Sequence, residues 1–69
     1  MAIVEEKIGE LDLVELRQSV DGWPAGTRGA VLAQQGDLKL IEISDDQGVA
    51  LDDFPVSESQ LKLISKNSR

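Results

Sequence analysis

Two pairs of adjacent aspartates, Asp45-Asp46 and Asp52-Asp53, are the first candidates for chemistry in this sequence. A carboxylate pair can share a proton in acid–base work or hold a hard cation such as calcium. Neither run has the spacing of an EF-hand loop, whose acidic ligands alternate over about twelve residues. Aspartate is also a strong turn former, because its side chain bonds its own backbone. Both pairs are therefore read as turn residues, and no metal or cofactor is expected. The chain has no His and no Cys, so the usual general base and the thiol nucleophile are both missing. Thr27 and the serines at 19, 44, 57, 59, 65 and 68 lie in loops or at strand ends, with no base at any motif spacing. The expectation is a protein that binds and does not catalyse.

Trp23, the only Trp, stands between Gly22 and Pro24 in a polar stretch. Two readings are open: a contact residue, since aromatic anchors dominate interface energetics, or a lid folded over one open end of the domain. Phe54 beside Pro55 carries the same choice, with the core reading favoured. Arg17 and Arg28 flank the loop and can pair with Asp21 or Glu15; such surface pairs contribute little. The candidate partner-binding residues are thus Trp23, Arg28, Asp45, Asp46, Asp52, Asp53 and Phe54.

Those residues need a scaffold, and length bounds it. A chain of 69 residues makes one domain with one small core. Without Cys or His it has neither disulfides nor the usual zinc ligands to help it. Seven Lys+Arg against 13 Asp+Glu leave a formal charge of −6, which repels phosphate backbones and favours a basic protein partner, besides keeping a small domain soluble. The opening MAIVEEKIGE lacks the basic and apolar regions of a signal peptide, and no apolar run approaches the roughly 18 residues of a membrane-spanning helix. A cytoplasmic protein is expected, with no membrane contact.

Apolar residues come in five short runs separated by turn signals: Leu11 to Leu16, Ala30 to Gln34, Leu38 to Ser44, Val49 to Asp53 and Leu61 to Ile64. This is a strand pattern and not an amphipathic-helix pattern. Gly36-Asp37 joins the second and third runs, and Asp45 to Gly48 joins the third and fourth, giving an antiparallel meander. Leu11 and Leu13 give way to Val14 and Leu16, and Leu38 and Leu40 to Ile41 and Ile43. Such phase changes predict bulges, which bent barrel strands require. The Gly/Pro-rich loop from Arg17 to Arg28, and a single 3₁₀ turn within Pro55 to Gln60 with a Ser57-to-Gln60 capping box, complete the layout. The predicted fold is an all-β, five-stranded SH3-like barrel over residues 11–64. Residues 1–10 form a flexible or short helical lead-in and 65–69 a disordered tail.

Leu11-Asp12-Leu13-Val14-Glu15-Leu16, preceded by Ile8-Gly9-Glu10, and Gly26-Thr27-Arg28-Gly29-Ala30-Val31-Leu32 resemble the two signature segments of DUF4926, a family of short bacterial proteins. The Asp46-Gln47-Gly48 turn and the Ser59-Gln60-Leu61 stretch extend the likeness to residues 8–64. Ala30 departs from the family's usual Thr. The resemblance implies an SH3-like barrel and no particular activity. The Gly-x-x-Gly-x-Val element is also similar to the KOW motif and to barrel segments of nitrile hydratase β subunits. Its physical content is that Gly26 and Gly29 let the loop turn sharply into the second strand while Val31 fills the barrel.

The functional expectation is a protein–protein interaction module, an accessory, antitoxin or immunity-type protein covering a basic partner. A KOW-like nucleic-acid or ribosome-associated barrel is the first alternative, and it requires a basic stripe. A self-associating protein paired through an exposed edge strand is the second.

Overall fold

Two short turns, each holding a glycine in the left-handed region, fold the middle of the chain into a meander: Gly36 (φ 59°) and Gly48 (φ 83°). A side chain there would be strained, which is why glycine occupies both positions. The computed structural model describes residues 7–67. Its five antiparallel strands are β1 (Leu13–Leu16), β2 (Arg28–Gln35), β3 (Leu38–Ser44), β4 (Ala50–Ser57) and β5 (Leu61–Ser65). A 3₁₀ turn, Glu58–Gln60, links β4 to β5. The sheet order is β4-β3-β2-β1-β5, so the long β1–β2 loop and the 3₁₀ turn flank a three-stranded meander in the manner of an SH3-like barrel.

Inward positions alternate along each strand and meet in one core. Val14 and Leu16 come from β1, Val31 from β2, Ile41 and Ile43 from β3, Phe54 and Val56 from β4, and Leu61 from β5. Ile8 joins them from the lead-in. Fully burying one such side chain stabilises the fold by roughly 1.5–3 kcal/mol.

The phase changes in the sequence have an unexpected origin. In β3 the inward residues are Lys39, Ile41 and Ile43, an unbroken alternation in which Lys39 holds a core position at 3% exposure. Leading into β1 and along it, Asp12, Val14 and Leu16 alternate in the same way, with Asp12 at 2% exposure. Two charged residues thus sit where leucines were expected. Leu38 and Leu40 belong to the outer face, and Leu11, at φ 68°, is exposed.

Bulges do occur beside both positions, but in the neighbouring strands. Leu32 of β2 is the extra residue between the pairs Val31↔Ile41 and Ala33↔Leu40, and Ile64 of β5 lies between the pairs Leu13↔Ser65 and Val14↔Leu63. A third, at Leu51, separates Asp52↔Ile43 from Ala50↔Ser44.

Lys39 Nζ donates to Gln34 Oε1 (3.0 Å) and to the Gly36 carbonyl (3.2 Å), and pairs with Glu58 Oε1 (3.0 Å). All three of its protons are thereby met, as a buried ammonium requires. Asp12 takes N–H bonds from Gly9 (2.7 Å) and Asn67 (2.7 Å), and Lys66 Nζ from 2.9 Å.

These bonds revise both chain ends. Residues 7–10 are pinned by Ile8 in the core and Gly9 on Asp12; Ser65 belongs to β5, and Lys66 and Asn67 are tied to Asp12. The rest of the expected lead-in and tail, 1–6 and 68–69, lies outside the described residues. Strand β4 also runs beyond the expected Asp53, through Pro55 to Ser57. As an edge strand it tolerates a residue with no N–H. The 3₁₀ turn follows at once, with Gln60 Oε1 accepting the Ser57 N–H (3.2 Å).

Candidate binding surface

The long loop contains a small hairpin of its own. Val20 and Trp23 exchange both backbone hydrogen bonds (2.9 and 2.8 Å) around Asp21 and Gly22, whose φ values of 54° and 86° are those a type I′ turn needs. Ser19 Oγ donates to the Trp23 carbonyl (3.1 Å). At its base the loop is closed by Leu16 N–H to the Thr27 carbonyl and Gly26 N–H to the Leu16 carbonyl, both 2.8 Å.

This hairpin carries Trp23 onto the barrel, where it packs half-buried against the core and donates its indole N–H to Asp52 Oδ2 at 2.9 Å. Asp52 shares the inward phase of Phe54 and Val56 along β4. The two residues therefore meet at the open mouth of the barrel, with Trp23 in the lid position.

Around this mouth the acidic residues gather. Asp21 is in the hairpin turn, Asp45 and Asp46 are in the β3–β4 turn, and Asp52 and Asp53 are on β4. Asp45 is consumed locally: its Oδ1 accepts the N–H groups of Gln47 and Val49, each at 2.9 Å. Asp46 and Asp53 are exposed. Asp53 stands directly opposite Glu42 of β3, a like-charge cross-strand pair that the fold bears at a cost. Among the described residues the ion pairs are Arg28–Glu15, Lys39–Glu58 and Lys66–Asp12; none of them involves Asp21, Glu42, Asp45, Asp46, Asp52 or Asp53. Val49 and Leu51 are more than half exposed beside these carboxylates.

Of the residues predicted to contact a partner, Trp23, Asp45, Asp46, Asp52 and Asp53 thus come together at one end. Phe54 does not join them, because it is 5% exposed and fills the core. Arg28 is exposed on the β1–β2 face, paired with Glu15 at 3.2 Å, whereas Arg17 donates Nε to the Leu61 carbonyl (2.8 Å) instead of pairing with an acid. Glu42, Val49 and Leu51 were not singled out by sequence. The alternation Val49, Leu51, Asp53 beside a turn was the available signal for an exposed face.

Lys7, Arg17, Lys39 and Lys66 line one open cleft between β5, the 3₁₀ turn and the β2–β3 hairpin. Lys39 and Lys66 are already paired there, and Asp37 and Glu58 share the lining, so the cleft presents no continuous basic stripe. Among the described residues no helix is long and apolar enough to cross a membrane. No family model, no curated protein and no solved structure matches the chain.

Proposed function

We propose that the protein is a non-catalytic interaction module that docks a basic protein segment on the acidic mouth of its barrel. The observation that carries this reading is the unneutralised charge at that end: Glu42 opposite Asp53, with Asp46 and Asp21 nearby, around exposed Val49 and Leu51. Lysines or arginines of a partner relieve the carboxylate repulsion, and the two apolar side chains supply the contact area that steering alone does not. A role of the accessory, antitoxin or immunity type, in which the barrel covers a basic surface, follows from that chemistry. The segments Leu11–Leu16 and Gly26–Leu32 support grouping the chain with the DUF4926 barrels.

The test uses Trp23 as reporter, because the indole is bonded to the proposed surface. A peptide alternating Lys and Leu should shift Trp23 emission at low salt and lose affinity as salt rises, and its Glu/Leu counterpart should not bind. The double variant Asp46→Lys/Asp53→Lys should bind the basic peptide at least about tenfold more weakly, a loss of about 1.4 kcal/mol. Equal binding of both peptides, or no binding of either even at low salt, refutes the reading.

A further inference from the structure

Asp21 and Gly22 form the only Asp-Gly step in the chain, and both are exposed at the tip of the loop hairpin. Their type I′ turn leaves the peptide between them unused. Among the described residues neither the Asp21 carbonyl nor the Gly22 N–H takes part in a backbone hydrogen bond, and no ion pair involves the Asp21 carboxylate. A Cβ built on Gly22 would meet nothing within 4 Å, so the glycine side of the turn is open.

We propose that Asp21-Gly22 is a site of spontaneous covalent modification, at which Asp21 closes to a succinimide and reopens as isoaspartate. In the first step the Gly22 nitrogen attacks Cγ of the protonated Asp21 carboxyl. The N–Cγ bond forms, the Cγ–OH bond breaks, and the hydroxyl leaves with the amide hydrogen as water. In the second step water adds to the main-chain carbonyl carbon of Asp21, the bond from that carbon to the Gly22 nitrogen breaks, and the nitrogen regains a hydrogen. The chain then runs through Cγ, one methylene longer, and the former main-chain carbonyl is a free carboxylate. Water is released and then consumed, and nothing is oxidised or reduced.

The fold favours ring closure at this step. A succinimide ring eclipses Cβ with the following nitrogen, which in an L residue sets ψ near about −120°, the value at the first central position of a type II′ turn. Types I′ and II′ share a positive φ at that position, and Asp21 already has it, at 54°. Closure therefore needs only a flip of the unbonded central peptide. The flip carries Gly22 from φ 86° to a negative φ that glycine also populates. Both turns fit a two-residue hairpin, so the Val20–Trp23 bonds survive it.

No other aspartate combines these features. Asp12 is buried under bonds from Gly9, Lys66 and Asn67. Asp45 Oδ1 holds the N–H of Gln47, the nitrogen that must attack Asp46. Asp37 precedes Leu38 and accepts a bond from Ser57 Oγ (2.6 Å). Asp52 and Asp53 lie within β4, where pairing with Ile43 and Glu42 fixes the backbone. At Asp21 the imide removes one negative charge beside the acidic mouth. Isoaspartate then puts an extra methylene into a two-residue turn, which throws Val20 and Trp23 out of register and draws the indole off Asp52. The modification does not depend on the basic-partner reading, and its failure leaves that reading standing.

The test incubates the folded chain for several weeks in water enriched in heavy oxygen at about pH 5, where carboxyls are partly protonated. Peptide mapping by mass spectrometry should find isoaspartate and one heavy oxygen at position 21, formed through a species one water lighter. Conversion there should be at least about tenfold faster than at any other aspartate, a barrier difference of about 1.4 kcal/mol. Trp23 emission should move to the red as isoaspartate accumulates. Asp21→Glu, which keeps the charge but needs a six-membered ring, should stay unlabelled at that position. Unfolding in urea separates reaction in the native turn from leakage through the unfolded chain. A reaction confined to the unfolded chain is slowed in native buffer by the whole folding equilibrium, at least about a thousandfold, whereas the native turn should react within about tenfold of the unfolded rate. No isoaspartate at Asp21, an equal yield at another aspartate, labelling at position 21 of Asp21→Glu, or a native rate below that range overturns the proposal.

Discussion

The indole N–H of Trp23 and the carboxylate of Asp52, 29 residues apart in the chain, are joined by a 2.9 Å hydrogen bond. The bond fixes the loop hairpin over the mouth of the barrel and puts the only tryptophan in contact with the acidic end. Replacing Asp52 by Ala removes the acceptor while leaving the partly buried indole able to reach water. The expected cost is about 1 kcal/mol, below the roughly 1.5–3 kcal/mol of a hydrogen bond to a charged group because water replaces the lost acceptor, with a red shift of Trp23 emission. Denaturant titration followed by fluorescence measures both. An unchanged midpoint together with unchanged emission would show that the lid is not held by this bond.

Asp12 predicts a pH dependence. Burial by itself raises a carboxyl's pKa, but N–H bonds from Asn67 and Gly9 and the Lys66 ammonium together outweigh it, holding Asp12 below its ordinary value of 3.8. The folded state therefore releases the proton more readily than the unfolded chain. The stabilisation is complete above the ordinary value and is lost as pH falls through the lowered one. Asp12→Asn leaves the strand ends with a poorer acceptor and should cost about 2 kcal/mol at neutral pH. The gap between the two proteins should narrow below pH 3.8. Urea midpoints at several pH values test this, and a constant gap down to strongly acidic pH would contradict it.

Local features of the fold were legible and long-range ones were not. The Gly36 and Gly48 turns, all seven residues of β3 and the Ser57-to-Gln60 cap depend on residues within a few positions of one another. The polar partners of Asp12 include Lys66, 54 residues away, and no periodicity reveals that a buried aspartate will find an ammonium across the barrel. Lys39 misled for the same reason. A hydrophobic pattern assigns leucine to the core and lysine to water, so an inward lysine reads as a slip of phase in the leucines around it. Asp45-Asp46 is the turn pair its residue types predict, whereas Asp52-Asp53, read the same way, lies within β4; the convergence of the acids with Trp23 depends on β4 lying at the sheet edge beneath the loop hairpin.

Lys39 and Glu58 are unequal partners. The Lys39 side chain is only 4% exposed, and that of Glu58 is 37% exposed. Removing the carboxylate leaves a buried ammonium with one of its three partners missing, whereas removing the ammonium leaves a carboxylate that water can solvate. Glu58→Ala is therefore expected to cost about 2 kcal/mol, discounted from the fully buried case because Glu58 is partly wet, and Lys39→Met less than about 1 kcal/mol. Thermal or urea unfolding of the two variants decides the order. A larger loss for Lys39→Met would mean that the bonds to Gln34 and Gly36 outweigh the ion pair.

Gly29 was read as a turning residue, but among the positive-φ glycines are Gly22, Gly26, Gly36 and Gly48 and not Gly29. Its requirement is space. A Cβ added there would lie 2.7 Å from the Glu42 carbonyl oxygen, 2.7 Å from Ile41 Cγ2 and 2.9 Å from Ile43 Cδ1. One of those contacts is backbone, so the strands themselves must separate to admit a methyl group where β2 crosses β3. Gly29→Ala should thus destabilise the barrel by about 3 kcal/mol, the upper range for overpacking. Gly26→Ala, strained by its φ of 92° but in open space, should lose only about 1–2 kcal/mol, all of it through the backbone. Repacking can distinguish the two mechanisms. Adding Ile43→Val to Gly29→Ala removes one of the crowded groups, the Ile43 Cδ1 methyl, and should recover part of the loss, while the same change combined with Gly26→Ala should add its own cost in full. Chemical unfolding of these four variants, the single Ile43→Val variant and the unsubstituted chain measures the coupling, and additivity in both pairs would show that crowding at Gly29 is not what holds that position to glycine.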